Sequence, residues 1–171
     1  MSDILVAPPW LLIAIAEIGV TEIPGAQNNA RILEYQQATS LKASNDETPW
    51  CSSLVNWCMG EAGEKSTGSA AALSWQNYGI KLKHPCYGSI VVYDHGGGRG
   101  HVGFAVGYHQ DSDDQYWLAV LGGNQSNQVK VSLFKGGTAC AYVIPVGYKT
   151  PPGAYDLPDW TGKTEIETET L

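Results

Sequence analysis

The order in which hydrophobic patterns change along the chain constrains its fold more than any other feature. Up to about position 79, apolar residues recur at helical spacing, with candidate helices at residues 10–18, 30–38, 51–59 and 70–78. From position 89 onward the apolar runs are short, rich in β-branched residues and bounded by glycine or polar turns. The strand candidates are residues 89–93, 101–108, 116–121, 128–134 and 141–146. Helices followed by strands predict an α+β domain in which N-terminal helices cover an antiparallel β-sheet.

The length of the chain and its last twenty-one residues define the domain organisation. A chain of 171 residues is long enough for one domain with a real core and too short for two ordinary ones. From Pro151 the composition turns to proline, acidic residues and threonine. We therefore predict a single domain at residues 1–150 and an acidic, flexible C-terminal tail at residues 151–171.

Charge and the N-terminal segment exclude several classes of partner. The formal net charge is −7 and no basic cluster is visible, so neither nucleic acid nor an anionic surface is an expected partner. Pro8, Pro9 and Glu17 interrupt the apolar start, which also lacks a basic leading region. The sequence thus predicts no signal peptide and no membrane span, and we expect a monomer made in the cytoplasm.

The segment Pro49-Trp50-Cys51 places a cysteine where a helix begins. Pro49 interrupts the preceding loop, and Leu54, Val55 and Cys58 then form one face of an amphipathic helix. The unpaired N–H groups and positive dipole end of a first helical turn favour a thiolate and lower the cysteine pKa. Cys51 is therefore a candidate nucleophile, although most free cysteines are simply small buried residues.

The other three cysteines, at positions 58, 86 and 140, lie in apolar or strand contexts, and there is no CxxC pair. We expect all four to be reduced and only Cys51 to be both accessible and acidic. No metal or other cofactor is expected.

The segment at residues 101–108 supplies a candidate base. Small residues alternate there with apolar ones, and His101 is the only chemically reactive side chain of the small-residue face. A strand face stripped of side chains lets a helix backbone approach closely, so the helix that begins at Cys51 is predicted to pack there. A half-exposed histidine at the start of a strand is the alternative interpretation.

The strand at residues 116–124 supplies a candidate third residue. If Tyr108 pairs near Tyr116 in a hairpin, His101 falls opposite Gly123 and within one residue of Asn124. The Asn124 amide would then orient the imidazole, as the third member of a cysteine hydrolase triad does. Gly122 and Gly123 would leave room for an extended substrate backbone.

These motifs together resemble the CHAP and NlpC/P60-type cell-wall hydrolases of bacteria and phages. The resemblance spans residues 8–147 and rests on Pro49-Trp50-Cys51, Gly100-His101-Val102-Gly103 and the strand end that runs from Leu121 to Gln125. It implies a papain-like fold and cleavage of an amide in peptidoglycan, in the stem peptide or at its link to the sugar. By position, Cys51 matches the nucleophile, His101 the base and Asn124 the third residue, but Gly122-Gly123 replaces an acidic residue that many CHAP domains carry.

The resemblance also predicts a substrate groove and a biological setting. We expect Trp50, Gly122, Gly123 and Gln125 to contact peptidoglycan, whereas Trp75 is interpreted as core. A phage endolysin that acts on the cell wall after delivery, with a holin as a possible partner, fits a chain of this kind. An antibacterial amidase toxin with an immunity protein and a non-catalytic wall-binding module remain alternatives.

A metallohydrolase is the remaining rival. It would use His95, His101 and His109 with Asp94 or Asp111, but the sequence has no H-E-x-x-H or comparable close pair.

Overall fold

The computed structural model describes residues 5–160 and contains the two layers that the sequence predicts. The helices are α1 (Pro9–Ala16), α2 (Ala30–Gln36) and α3 (Cys51–Glu61), followed by a short 3-10 helix (Ala72–Asn77). The strands are β1 (Ile80–Lys81), β2 (Ile90–Gly96), β3 (Arg99–Gln110), β4 (Tyr116–Gln125), β5 (Gln128–Lys135) and β6 (Ala141–Ile144). The predicted α+β architecture is confirmed, with the two-residue strand β1 as an addition. Among the described residues, no helix is both long and apolar enough to span a bilayer.

All strand pairs of the single six-stranded sheet are antiparallel, in the order β1-β6-β2-β3-β4-β5. The three consecutive neighbours β2, β3 and β4 are joined by short hairpins. Glycines at positions 97 and 98, with φ of 62° and 79°, form the first of these turns. Two left-handed residues in a row match the twist of the flanking strands, which is why glycine is favoured at both positions.

Helix α3 is the central element of the helical layer. Its backbone starts at Trp50, which has φ −125° and ψ 15°, and the Leu54 N–H donates to the Trp50 carbonyl at 3.0 Å. The predicted apolar face of Leu54, Val55 and Cys58 is fully buried. Ser52, Ser53 and Asn56 are buried as well, so α3 is enclosed on nearly all sides.

The packing of α3 differs from the prediction. The main core combines residues of α1, α2 and α3 with Val102, Phe104 and Val106, so the helices cover the apolar face of β3 rather than the small-residue face. On the opposite face, a Cβ added to Gly103 would meet Val120 Cγ1 and the Leu121 carbonyl instead of a helix. The physical reason is that burial of large apolar side chains supplies far more stabilisation than close backbone approach does.

The hairpin between β3 and β4 also differs from the predicted register. Tyr108 pairs with Leu118, not with Tyr116, because both strands extend to a Gln110–Tyr116 pair before the turn. A register shift between Ala105 and Gly107 adds one residue to β3. This irregularity cannot be read from alternation alone, because a bulge changes the face on which each later side chain lies.

The predicted tail begins too early at position 151. Ala154 is buried, and the Tyr87 N–H donates to its carbonyl at 2.8 Å. Asp159 forms a parallel bridge with Tyr108, and backbone hydrogen bonds join Tyr108 to Pro158 and Trp160. Residues 151–160 thus pack on the domain, and the rest of the predicted tail lies outside the described residues.

This packing yields a stability prediction. A chain that ends at Trp160 should be more stable than a chain that ends at Leu157, by about 1–3 kcal/mol, because only the longer chain keeps two backbone hydrogen bonds and the Trp160 contact. Urea unfolding followed by circular dichroism measures the difference, and both proteins lack residues 161–171, so the comparison isolates positions 158–160. Equal unfolding midpoints would show that this segment does not stabilise the domain.

Candidate active site

Cys51 is the first residue of α3, and its side chain is 6% exposed. The backbone amides of Val102, Ser52 and Cys51 itself lie near the thiol and act to lower its pKa. Val102 is the residue after His101, and consecutive Cα atoms are only about 3.8 Å apart. The fold therefore brings the Cys51 thiol to the backbone at the start of β3, one residue from the predicted base, whose side chain lies on the opposite face of the sheet.

Burial decides the protonation state of this thiol. It raises the pKa of Cys51 above the ordinary range, and the three backbone amides act in the opposite direction without reversing the shift. The sequence prediction of a lowered pKa is therefore wrong for the free protein. The amides of the helix start do favour the thiolate, as predicted, but desolvation of a charged sulfur outweighs them.

His101 packs beside two aromatic rings on the face of the sheet opposite the helices. Its ring stacks on Phe134 with centroids 5.3 Å apart and an interplanar angle of 15°, and the Tyr93 ring lies 6.5 Å away. Tyr93 and His101 are also paired residues of β2 and β3. These contacts leave the imidazole little freedom to rotate.

The Gln125 amide fixes the remaining orientation of the His101 ring. Gln125 Oε1 lies 2.9 Å from His101 Nε2. Gln125 Nε2 donates to the backbone carbonyls of Val120 at 3.1 Å and Lys130 at 2.7 Å. Since the amide nitrogen must face these two carbonyls, the amide oxygen faces the imidazole and accepts a hydrogen bond from Nε2–H. Neutral His101 thus carries its proton on Nε2 and leaves Nδ1 as the basic nitrogen.

The hydrogen-bond partner is therefore not the residue that the sequence predicted. Asn124 has φ 56°, a left-handed conformation that breaks the alternation of β4, and its amide makes no hydrogen bond within residues 5–160. The break turns Gln125 onto the side of Gly122 that faces His101. Gln125 was predicted to bind substrate, but it is 2% exposed and binds the imidazole instead.

Gly122 and Gly123 serve internal packing rather than the predicted substrate groove. A Cβ on Gly122 would lie 2.4 Å from Gln125 Oε1 and 3.2 Å from His101 Nε2. A Cβ on Gly123 would lie 2.5 Å from the Trp50 ring and 3.1 Å from Leu54 Cβ. The two glycines therefore let the His101–Gln125 pair and the start of α3 approach the same strand.

Trp50 is likewise not a wall of the groove. It is fully buried, and its indole N–H donates to Glu22 Oε1 at 2.7 Å. Trp75 is buried as predicted, with its N–H bonded to Ser52 Oγ at 3.0 Å.

An open cleft of about 350 Å³ reaches Cys51. Its lining comes from the loop before α3, the loop before the 3-10 helix and the turn between β2 and β3: Pro49, Cys51, Ala70, Ala71, Ala72, His95, Gly98, Arg99 and Gly100. Sequence reasoning missed this lining, apart from Cys51. The signal available was the Gly96-Gly97-Gly98 turn, which places His95 and Arg99 close to His101 along a tight hairpin.

Buried polar side chains hold the walls of this cleft. Asn56 on α3 accepts from the Gly68 N–H at 2.7 Å and donates to the Ser69 carbonyl at 3.0 Å. Gln36 on α2 accepts from Ser53 Oγ at 2.7 Å and donates to the Thr48 carbonyl at 3.0 Å. Because buried polar groups stay where their partners are, the loops on both sides of Cys51 are fixed relative to α3.

Comparison with protein families agrees with this geometry. Residues 43–124 match the model of the CHAP domain, a cysteine peptidase or amidase domain of the papain-like class. The part of the chain that holds Cys51 and His101 is thus similar to a CHAP domain, over just under half of its length. Comparisons with curated proteins and with solved structures gave no match.

The CHAP match includes Cys51, His101 and Asn124 and ends one residue before Gln125. A CHAP domain indicates a hydrolase or amidase whose substrate is peptidoglycan. The residues of the metallohydrolase rival are not grouped: within residues 5–160, no three His, Cys, Asp or Glu side chains are placed to hold a metal ion.

The four cysteines differ in access, but not as predicted. Cys58 and Cys86 are buried, whereas Cys140 is exposed and Cys51 is nearly covered. Cys140 is therefore an accessible thiol that the sequence interpretation took to be inert.

This difference predicts how the thiols react. In a Cys140→Ser protein, iodoacetamide should modify Cys51 slowly at neutral pH and faster as the pH rises beyond the range of an ordinary cysteine, because burial raises the Cys51 pKa. Mass spectrometry of the intact protein at a series of pH values measures the rate. A Cys51→Ala, Cys140→Ser protein is the control and should take up no label while folded. Rapid labelling of Cys51 at neutral pH would show that the free protein already holds a thiolate.

Proposed function

We propose that this protein is a thiol-dependent peptidoglycan hydrolase in which Cys51 is the nucleophile, His101 the general base and Gln125 the residue that orients the base. The bond attacked is an amide of the stem peptide or of its link to the sugar. The observation that carries the proposal is the Gln125 amide: two backbone carbonyls hold its nitrogen, so its oxygen accepts from Nε2–H of His101 and assigns the basic role to Nδ1.

The raised pKa of Cys51 selects the form of the mechanism. A buried neutral thiol must lose its proton as it attacks, so His101 acts as a general base during the step rather than holding a permanent ion pair. The thiolate sulfur bonds to the amide carbon, and the N–H groups at the start of α3 face the developing negative charge. Protonated His101 then gives its proton to the leaving amine, and water hydrolyses the thioester.

A biological setting follows from the resemblance and stays a proposal. We propose that the enzyme acts on the cell wall after delivery, as a phage endolysin that works with a holin. An antibacterial effector with an immunity protein would use the same chemistry, and neighbouring genes would distinguish the two. The papain-like fold is likewise proposed from the CHAP match and the helix-on-sheet arrangement.

The direct test is hydrolysis of purified peptidoglycan. The wild-type protein should release soluble muropeptides, and Cys51→Ala and His101→Ala should each lower the rate at least about a thousandfold, as loss of a nucleophile or base does. Mass spectrometry of the products identifies the bond that is cut. Binding of peptidoglycan without any turnover by the wild-type protein would instead support a non-catalytic wall-binding module.

His95 is the control for the identity of the base, because it lines the cleft beside Cys51. His95→Ala should lower the rate severalfold at most, since its ring is not the one bonded to Gln125. If His95→Ala abolishes turnover and His101→Ala does not, the base is His95.

The role of Gln125 has its own prediction. Gln125→Ala should lower kcat by about tenfold to a hundredfold, because the imidazole then loses its fixed tautomer and orientation, whereas Asn124→Ala should stay near the wild-type rate. Nitrogen NMR of the His101 ring distinguishes positioning from general damage: the Nε2–H form should dominate in the wild type and in Asn124→Ala, and become mixed in Gln125→Ala. If Asn124→Ala lowers kcat strongly and Gln125→Ala leaves it unchanged, Asn124 and not Gln125 orients the base.

A further inference from the structure

One side chain of the Cys51 cleft has no task in the proposed reaction. Arg99 is the first residue of β3, lies two positions before His101 and is exposed at the cleft. Within residues 5–160 its guanidinium makes no ion pair and no hydrogen bond. The chain places only ten lysines and arginines against seventeen acidic residues, so an unpaired cation beside the nucleophile is a specific local feature.

The backbone around Arg99 holds it in a defined position. Arg99 pairs with Gly96, and the two residues between them form the tight turn described above. Asp94, the nearest acid along the hairpin, accepts a hydrogen bond from the Gly96 N–H at 2.8 Å and does not line the cleft. The base of the arginine side chain is therefore placed by the sheet, although its end is exposed.

The other residues that line the cleft leave the Arg99 guanidinium without an acidic partner. Apart from Cys51, His95 and Arg99, the lining consists of proline, alanine and glycine, and no carboxylate lines it. A guanidinium presents its donors in a planar fork that matches a carboxylate in two parallel hydrogen bonds. Walls of small residues leave room for an extended peptide to bring such a group to Arg99.

We propose that Arg99 binds a free carboxylate of the substrate next to the scissile amide, so that the enzyme selects amides flanked by a carboxylate and discriminates against the same position as a carboxamide. This inference rests on the proposed function, because it names the substrate class of the Cys51 site. For a peptidoglycan stem peptide it means preference for a D-glutamyl residue whose carboxyl group is free over one in which that group is amidated.

The experiment uses two synthetic muropeptides that differ only in this carboxylate and its carboxamide. With the wild-type protein, kcat/KM should favour the carboxylate by about tenfold to a hundredfold, the range for a hydrogen bond to a charged group. Arg99→Gln should raise KM for the carboxylate with little change in kcat and should remove the preference. Arg99→Lys should keep part of the preference for the carboxylate, because the positive charge remains while the planar pair of guanidinium donors is lost.

Lys83→Gln is the matched control, because it removes the same charge from an exposed lysine that lines a different cavity. It should leave both rates and the preference unchanged. Equal rates on the two muropeptides with the wild-type protein, or an unchanged preference in Arg99→Gln, would overturn the proposal for Arg99 and leave the hydrolase itself intact.

Binding to the Cys51→Ala protein tests the Arg99 site independently of the proposed hydrolysis. Calorimetry should show tighter binding of the carboxylate muropeptide, and Arg99→Gln in the same background should abolish the difference. If the wild-type protein hydrolyses neither muropeptide but binding still depends on Arg99 and the carboxylate, then the hydrolase proposal fails and the Arg99 site stands. Equal binding of both muropeptides overturns the Arg99 site whatever the turnover.

Discussion

The hydrogen bond between Gln125 and His101 is the interaction on which the candidate site depends. A side-chain amide can present either its oxygen or its nitrogen to an imidazole, and only one choice leaves Nδ1 basic. Here two backbone carbonyls, those of Val120 and Lys130, occupy the amide nitrogen and remove the choice. The sheet itself therefore sets the tautomer of His101, since both carbonyls belong to paired strands.

The same strand end also admits the start of α3, where Cys51 lies. Gly122 makes room for the His101–Gln125 pair, and the adjacent Gly123 makes room for Trp50 at the start of α3. Two neighbouring residues without side chains thus allow two different elements to pack against β4, one on each face. An alanine at either position would force backbone or aromatic groups apart, and overpacking of this kind costs roughly 1–3 kcal/mol.

Burial and reactivity oppose one another at Cys51. The core that holds α3 against the sheet also removes water from the thiol and raises its pKa, while the amides of Val102 and of the helix start act against that shift. In the proposed mechanism, a thiol with a raised pKa needs a well-placed base. Rigid placement of His101 by Tyr93, Phe134 and Gln125 is consistent with that requirement.

The sequence by itself determined the class of fold, the helix that starts at Cys51, the strand that starts near His101 and the similarity of residues 43–124 to a CHAP domain. Each of these depends on local periodicity or on short motifs. Only the tertiary structure decided which face of β3 the helices cover, which amide binds His101 and what Gly122, Gly123 and Trp50 contact. The bulge in β3 and the left-handed Asn124 explain the difference, since each shifts the side-chain alternation in a way that periodicity does not record. Likewise, the pKa of Cys51 depends on how much core surrounds the thiol. Burial raises this pKa, whereas the helix start alone would lower it.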